Sequence, residues 1–95
     1  MEARYAAELL LRQRAGEIRE LRFHPKFYAT VKALKGLDGG LSWEADGEYV
    51  DIETGDRIVY DIKPFGSPLG ERSELLIPLF TLLLCEYAKV EIVRR

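Results

Sequence analysis

The clearest alternation of hydrophobic and polar positions lies in the stretch Trp43–Pro64, which predicts two strands joined by a turn. Residues 58–63 alternate as a half-buried strand does. One face of this strand carries Ile58, Tyr60 and Ile62, and the other carries Val59, Asp61 and Lys63. Gly55 favours a turn just before the strand, because glycine adopts positive φ at little cost.

The length of that turn decides which residues of the two strands face each other. A two-residue loop, Thr54–Gly55, and a four-residue loop, Glu53–Asp56, give the same register. This register pairs Ile52 with Arg57, Val50 with Val59, Glu48 with Asp61, and Asp46 with Lys63. A three-residue loop would instead turn Asp46 away from Asp61.

The predicted register places like charges opposite each other, which destabilises a strand pair. Asp46, Glu48, Asp61 and Lys63 would share one face of the sheet. A divalent cation among the carboxylates would resolve the conflict, and a solvated polar face is the alternative explanation.

The flanking segments predict a mixture of helices and strands. Ala, Leu, Arg and Glu favour a helix over Glu2–Ala15, which Gly16 would end as a C′ glycine. A short strand over Ile18–Phe23 is interrupted at Pro25. Further segments are a second strand over Phe27–Leu34, which could also be a helical turn, and loops over Gly36–Gly40 and Pro64–Gly70.

The second predicted helix, Ser73–Tyr87, is apolar nearly all round, with Ser73 as its N-cap. Such a helix is covered on more than one side, so we expect one face on the sheet and the other on a partner subunit; a plain core helix is the alternative. Pro78 either kinks this helix or marks its start. A last strand, Lys89–Val93, would run parallel to residues 58–63 after the helical crossover.

Composition narrows the class of protein. A chain of 95 residues with 47% hydrophobic and 32% charged residues predicts one folded domain, and not a disordered segment. One cysteine, Cys85, excludes an internal disulfide and fits the cytoplasm, and one histidine excludes a Cys/His zinc site. No signal peptide is apparent, since the first residues carry charges, and the longest apolar run, 75–85, is too short to span a bilayer.

The net charge of −2 conceals an asymmetry. Residues 1–36 hold 8 Lys and Arg against 4 Asp and Glu, whereas the remaining residues hold 6 against 12. A basic part beside an acidic part suits an enzyme that holds phosphates with one and metal with the other, although chance explains it equally well.

Five segments of the chain carry a resemblance to a known family: EARYAAEL, AGEI, HPKF, EADGEY and YDIKP. Together they resemble the PD-(D/E)XK nuclease superfamily, and more narrowly its small phage-encoded, Holliday-junction-resolvase-like members. The resemblance implies an αβββαβ restriction-endonuclease-like core, in which helices flank a central mixed sheet. It also implies a cytoplasmic protein, of a phage in its bacterial host or of a bacterium.

The same resemblance implies a metal-dependent DNA endonuclease, specific for branched DNA and acting as a homodimer through the helix at Leu75–Tyr87. Its catalytic residues would be Glu2, Asp46, Asp61 and Lys63. Mg²⁺ or Mn²⁺ would be held by Asp46, Asp61, the carbonyl of Ile62, and Glu2. Glu48 is an additional candidate from the register alone. The sequence departs from the family pattern at His24, Gly47 and Pro64.

Basic side chains supply candidate phosphate contacts: Arg4, Arg12, Arg19, Arg22, Lys26, Lys32 and Lys35. They are as well explained as an ordinary solvated surface. The departures from the family pattern also leave a second function open, that of a catalytically inactive nuclease-fold protein that binds DNA or a host protein.

Overall fold

The chain forms helices and strands in nearly the predicted order. The computed structural model describes residues 2–30, 40–64, 66, 68 and 70–95, with only the backbone at residues 2, 29, 30, 40, 41, 71 and 72. In chain order the elements are α1 (Glu2–Arg14), β1 (Ile18–Phe23), β2 (Lys26–Thr30), β3 (Gly40–Glu44), β4 (Gly47–Asp51), β5 (Arg57–Lys63), α2 (Glu71–Leu83) and β6 (Lys89–Arg94). Lys32, Lys35 and most of the loop predicted over Gly36–Gly40 lie outside the described residues.

A long antiparallel hairpin, β1–β2 paired with β3–β4, is bent halfway along both of its arms. Phe23 pairs with Gly47 before the bend and Lys26 pairs with Glu44 after it, so the register continues through the bend. Pro25 lacks the N–H that a continuous ladder needs, and His24 adopts a φ of 55°. The single strand predicted from Trp43 onward is therefore two strands, divided at Ala45–Asp46.

The main sheet has four strands in the order β1-β4-β5-β6, and β2–β3 forms a separate two-stranded sheet. Strand β5 pairs antiparallel with β4 and parallel with β6, which confirms the predicted parallel last strand. The fold is thus mixed α/β, with two helices and a mixed sheet. With β2 and β3 set aside, the order of elements is α-β-β-β-α-β.

Strand β5 carries the two apolar layers of the molecule on its alternate faces, as its sequence predicted. Ile58 and Tyr60 pack with Leu9 of α1, and Val59 packs with Phe80 of α2. Gly16, with a φ of +80°, ends α1 through two C-terminal hydrogen bonds, Gly16 N–H to Gln13 and Glu17 N–H to Arg12. None of the described helices is long and apolar enough to cross a membrane.

The start of α2 differs from the prediction. Gly70, and not Ser73, is the N-cap, and Pro78 lies inside the helix and does not mark its start. Leu76, Ile77 and Phe80 are buried on one side of α2, whereas Leu75 and Leu82 are 69% and 73% exposed. The helix therefore covers the sheet with one face and leaves an apolar face open.

The predicted register between β4 and β5 is wrong by two residues, because Val50 was predicted to face Val59. The four-residue loop is Ile52–Gly55, closed by the Asp51 N–H donating to the Asp56 carbonyl at 2.8 Å. Val50 consequently faces Arg57, and Glu48 faces Val59. The Asp51 carboxylate accepts hydrogen bonds from the Glu53 and Thr54 amides at 2.9 and 3.3 Å, a local turn contact that fixes this choice of loop.

Candidate active site

Asp46 stands at the bend of the long hairpin, where three hydrogen bonds fix it. Its carbonyl accepts from the His24 amide at 3.1 Å, and its own amide donates to the Tyr60 carbonyl at 3.1 Å. Its carboxylate Oδ2 accepts from the Ile62 amide at 2.6 Å. Because β3 leaves the main sheet here, the Asp46 side chain takes the place of the next backbone partner of β5.

Asp61 lies beside Asp46 on the α2 side of β5 and is only 6% exposed. Burial raises the pKa of Asp61, and the hydrogen bond and negative charge of Asp46 raise it further. The Lys63 Nζ, 3.1 Å from Asp61 Oδ2, acts in the opposite direction. The structure therefore brings together Asp46, Asp61 and Lys63, three of the four predicted catalytic residues.

The carbonyl of Ile62 is directed toward the same corner. Alternate residues of a strand turn their backbone groups to the same edge. Tyr60 and Ile62 both make their hydrogen bonds with Asp46, so the edge of β5 next to Asp46 also carries the Ile62 carbonyl. Two carboxylates and one backbone carbonyl thus lie at or near this edge of β5, next to the bend.

Glu2, the fourth predicted catalytic residue, has a side chain outside the described part of the structure. The position of α1 is nevertheless informative. The Tyr5 ring packs edge-to-face on Tyr60 at 5.1 Å, and the Arg95 guanidinium lies 4.7 Å from the Tyr5 ring centre. Since the Arg95 amide donates to the Lys63 carbonyl, the first turns of α1 lie at the Lys63 end of β5.

The predicted phosphate contacts do not form one surface among the described residues. Arg4 and Arg12 belong to α1, which packs on the opposite face of the sheet from Asp61. Arg19 pairs with Glu20 at 3.5 Å, and Arg22 pairs with Glu48. Of the members of the set that the structure describes, Lys26 alone lines the same cavity as Asp61 and Lys63.

Glu48 lies on the same face of the sheet as Asp61, as predicted, but not opposite Asp61, and its partners are other residues. Its carboxylate is fully buried and pairs with Arg22, with Arg57 at 3.4 Å, and with the Tyr87 hydroxyl at 2.9 Å. We call these four residues the Glu48 network. Val59, and not Asp61, occupies the position opposite Glu48 in the neighbouring strand.

Two features of the site were not predicted from the sequence. The first is a cavity of about 320 Å³, whose lining includes Ser42, Trp43 and Glu44 from β3 and Ser73 from α2. The second is the need for glycine at position 47, because a Cβ there would collide with the Tyr60 side chain. The prediction had one unbroken strand from Trp43 through Asp46, so it did not contain the separate pairing of Lys26–Thr30 with Gly40–Glu44 beside which the cavity lies.

The comparisons with known proteins return nothing: no family model, curated protein or solved structure matches the chain. Among the described residues, no group of three or more His, Cys, Asp or Glu side chains is arranged to hold a metal ion.

Proposed function

We propose that the protein is a metal-dependent nuclease that hydrolyses phosphodiester bonds in DNA at the corner formed by Asp46, Asp61 and Lys63. The observation that carries the proposal is the contact between two carboxylates beside a lysine, with Asp61 almost entirely buried. Buried like charges are unfavourable unless a cation or a proton compensates them. The α-β-β-β-α-β order, with β2–β3 as an addition, supports a restriction-endonuclease-like core.

The donor atoms fit Mg²⁺ or Mn²⁺. Both cations prefer oxygen ligands, and Mg²⁺ commonly takes one or two carboxylates and completes its shell with waters and substrate phosphate. Asp46 and Asp61 would supply the carboxylates and Ile62 the carbonyl, with Glu2 as a further ligand. A cation held there would lower the pKa of a bound water and offset the charge of the reacting phosphate.

The protein's own residues would orient and stabilise the reacting group. The Ile62 amide fixes one oxygen of the Asp46 carboxylate, and the same carboxylate contacts Asp61. The Lys63 ammonium, tethered by Asp61, is a fixed positive charge for a phosphate oxygen. Lys26 on the facing strand β2 adds a second positive charge in the adjoining cavity.

We further propose that the substrate is branched DNA and that the protein acts as a homodimer. A second copy would cover the open face of α2, where Leu75, Leu82 and Leu83 are 69%, 73% and 53% exposed. Two copies would bring two sites to one junction, as cutting of paired strands requires. A 95-residue domain offers little surface for reading bases, which favours recognition of DNA shape over sequence.

The test is cleavage of a labelled four-way junction and of plain duplex DNA with Mg²⁺, with Mn²⁺ and with EDTA. Asp61→Asn removes the proposed metal ligand, and Asp56→Asn is the matched control at the other end of β5, where Asp56 pairs with Lys89 at 2.8 Å. We expect metal-dependent cutting of the junction that Asp61→Asn abolishes and Asp56→Asn retains.

Other outcomes assign the function differently. Cutting of both DNAs would retain the nuclease and reject the preference for branches. Failure to cut either DNA by a folded protein would refute the nuclease proposal and favour the inactive nuclease-fold protein that binds DNA or a host protein.

A further inference from the structure

A cavity of about 320 Å³ opens beside the candidate site, between the small sheet and helix α2. It exists because the long hairpin bends away from β5 at Asp46, so that β3 and β5 no longer pair. Asp61 and Lys63 form one wall, and residues of β2, β3 and α2 form the others. The cavity is therefore continuous with the corner where the phosphate would be cut.

The lining is apolar at one side and polar at the other. Trp43 and Leu76 are buried and supply the apolar wall, and Trp43 is held between Phe27 and Phe80 at ring distances of 5.9 and 5.6 Å. The polar side chains are Lys26, Ser42, Glu44, Asp61, Lys63 and Ser73. The ammonium groups of Lys26 and Lys63 can pair with a phosphate. The serine hydroxyls and the Glu44 carboxylate can form hydrogen bonds with the donor and acceptor groups at the edge of a base.

The size of the cavity limits what can enter it. Ligand pockets span about 300–1,000 Å³, so a cavity at the lower end holds one small unit. A base inside a duplex is stacked and paired, and it reaches such a pocket only after it leaves the stack. A free end, a flap or a branch point presents nucleotides that are already unpaired.

We infer that this cavity receives one unpaired nucleotide of the substrate strand, with its phosphate between Lys26 and Lys63. The inference rests on the proposed function for the identity of the ligand, and it specifies the substrate as DNA with an unpaired nucleotide at the cut. Plain duplex DNA, which offers none, binds weakly. Lys26 and Lys63 balance Glu44 and Asp61 in the lining, so we expect the two ammonium groups to hold the phosphate without a metal.

The protein's single tryptophan is part of the cavity wall, so its fluorescence reports occupation directly. The experiment titrates the full chain in EDTA with thymidine 5′-monophosphate, a short oligothymidylate, and a blunt duplex of equal strand length, at one fixed salt concentration. We expect a saturable change in Trp43 emission with the mononucleotide and the single strand, and about ten-fold weaker binding of the duplex.

Two variants separate the cavity from general charge. Lys26→Gln removes one cavity ammonium and should weaken binding of the single strand several-fold. Lys89→Gln removes an exposed ammonium that pairs with Asp56 outside the cavity lining, and it should leave binding unchanged. Both side chains are exposed, so both variants should fold, which circular dichroism checks.

The inference is overturned by equal affinity for duplex and single strand, by an equal effect of the two lysine variants, or by Trp43 emission that does not respond. These results are independent of cleavage. Binding without metal-dependent cutting would support the nucleotide-binding cavity and refute the nuclease proposal. Cutting without nucleotide binding in the cavity would support the nuclease proposal and refute the nucleotide-binding cavity.

Discussion

The first prediction concerns the stability that the Glu48 network contributes, since the structure assigns Glu48 to this network and not to the candidate site. Glu48→Gln retains the size of the side chain but removes its negative charge. Arg22 is 59% exposed and can return to water, so its contribution is small. Arg57 is only 23% exposed, and the Tyr87 hydroxyl donates to Glu48 at 2.9 Å. These two contacts therefore account for most of the stability that Glu48→Gln would remove.

The magnitude follows from how such contacts behave when one partner is removed. Breaking a buried ion pair destabilises by about 3–5 kcal/mol. Gln still accepts one hydrogen bond and Arg57 keeps Glu20 at 3.3 Å, so we expect about 3 kcal/mol, at the lower end. For a domain of this size that corresponds to a melting temperature lower by about 12–24 °C.

The assay is urea denaturation followed by circular dichroism, with thermal melting as a second measurement. The urea midpoint should fall while the m-value is retained. Glu53→Gln, on the exposed turn, is the matched control and should change stability by less than about 0.5 kcal/mol. A double variant with Arg57→Gln should cost less than the sum of the single changes, because each removal leaves the other charge unpaired.

Two results would refute this reasoning. A Glu48→Gln protein as stable as the wild type would show that the network contributes no net stability. The second result is a folded Glu48→Gln protein whose melting temperature no longer responds to Mg²⁺ while that of Asp61→Asn still does. This result would show that Glu48, and not Asp61, binds the metal.

Three further predictions concern the candidate site. In EDTA, wild-type stability relative to Asp61→Asn should fall as pH rises from below the ordinary aspartate pKa of about 4 through the raised folded pKa, because the folded state holds that proton more tightly; a flat difference across a pH series of urea midpoints would contradict the burial argument. Mg²⁺ or Mn²⁺ should raise the melting temperature of the wild type and not of Asp61→Asn, with EDTA reversing the effect; an equal rise in both proteins would exclude Asp61 as a ligand. Gly47→Ala should destabilise by about 1–3 kcal/mol through collision with the Tyr60 side chain, with Glu53→Gln on the exposed turn as the control, and equal midpoints for the two variants would contradict the collision.

The local patterns of the chain predicted its elements well. Strand β1 has the predicted bounds, and α1 ends one residue earlier than predicted, with Gly16 in the expected role. The alternation in β5 assigned its faces correctly, because the side-chain period of a strand is set by the backbone alone. The N-cap of α2 was misassigned, since Ser73 makes a good cap by type but lies inside a helix that Gly70 begins.

The pairing of strands was much less accessible from the sequence. Loops of two or four residues both fitted the stretch around Gly55, and the Asp51 carboxylate selects the four-residue loop that begins one residue earlier. That shift moved Glu48 away from Asp61 and brought Asp46 beside it. Asp46 and Asp61, two of the predicted metal ligands, therefore lie together because of a register that differs from the predicted one.

The sequence by itself determined that two helices form, although not the bounds of α2, and it determined the faces of β5 and the placement of Asp61 and Lys63 on one side of a strand, because these depend on periodicities a few residues long. Only the tertiary structure decided that Asp46 caps the edge of β5, that Glu48 is neutralised by Arg22 and Arg57, and that a cavity separates β3 from β5. The reason is physical: each of these depends on contacts between segments distant in the chain, and a bend at Pro25 and Asp46 sets which of those segments meet.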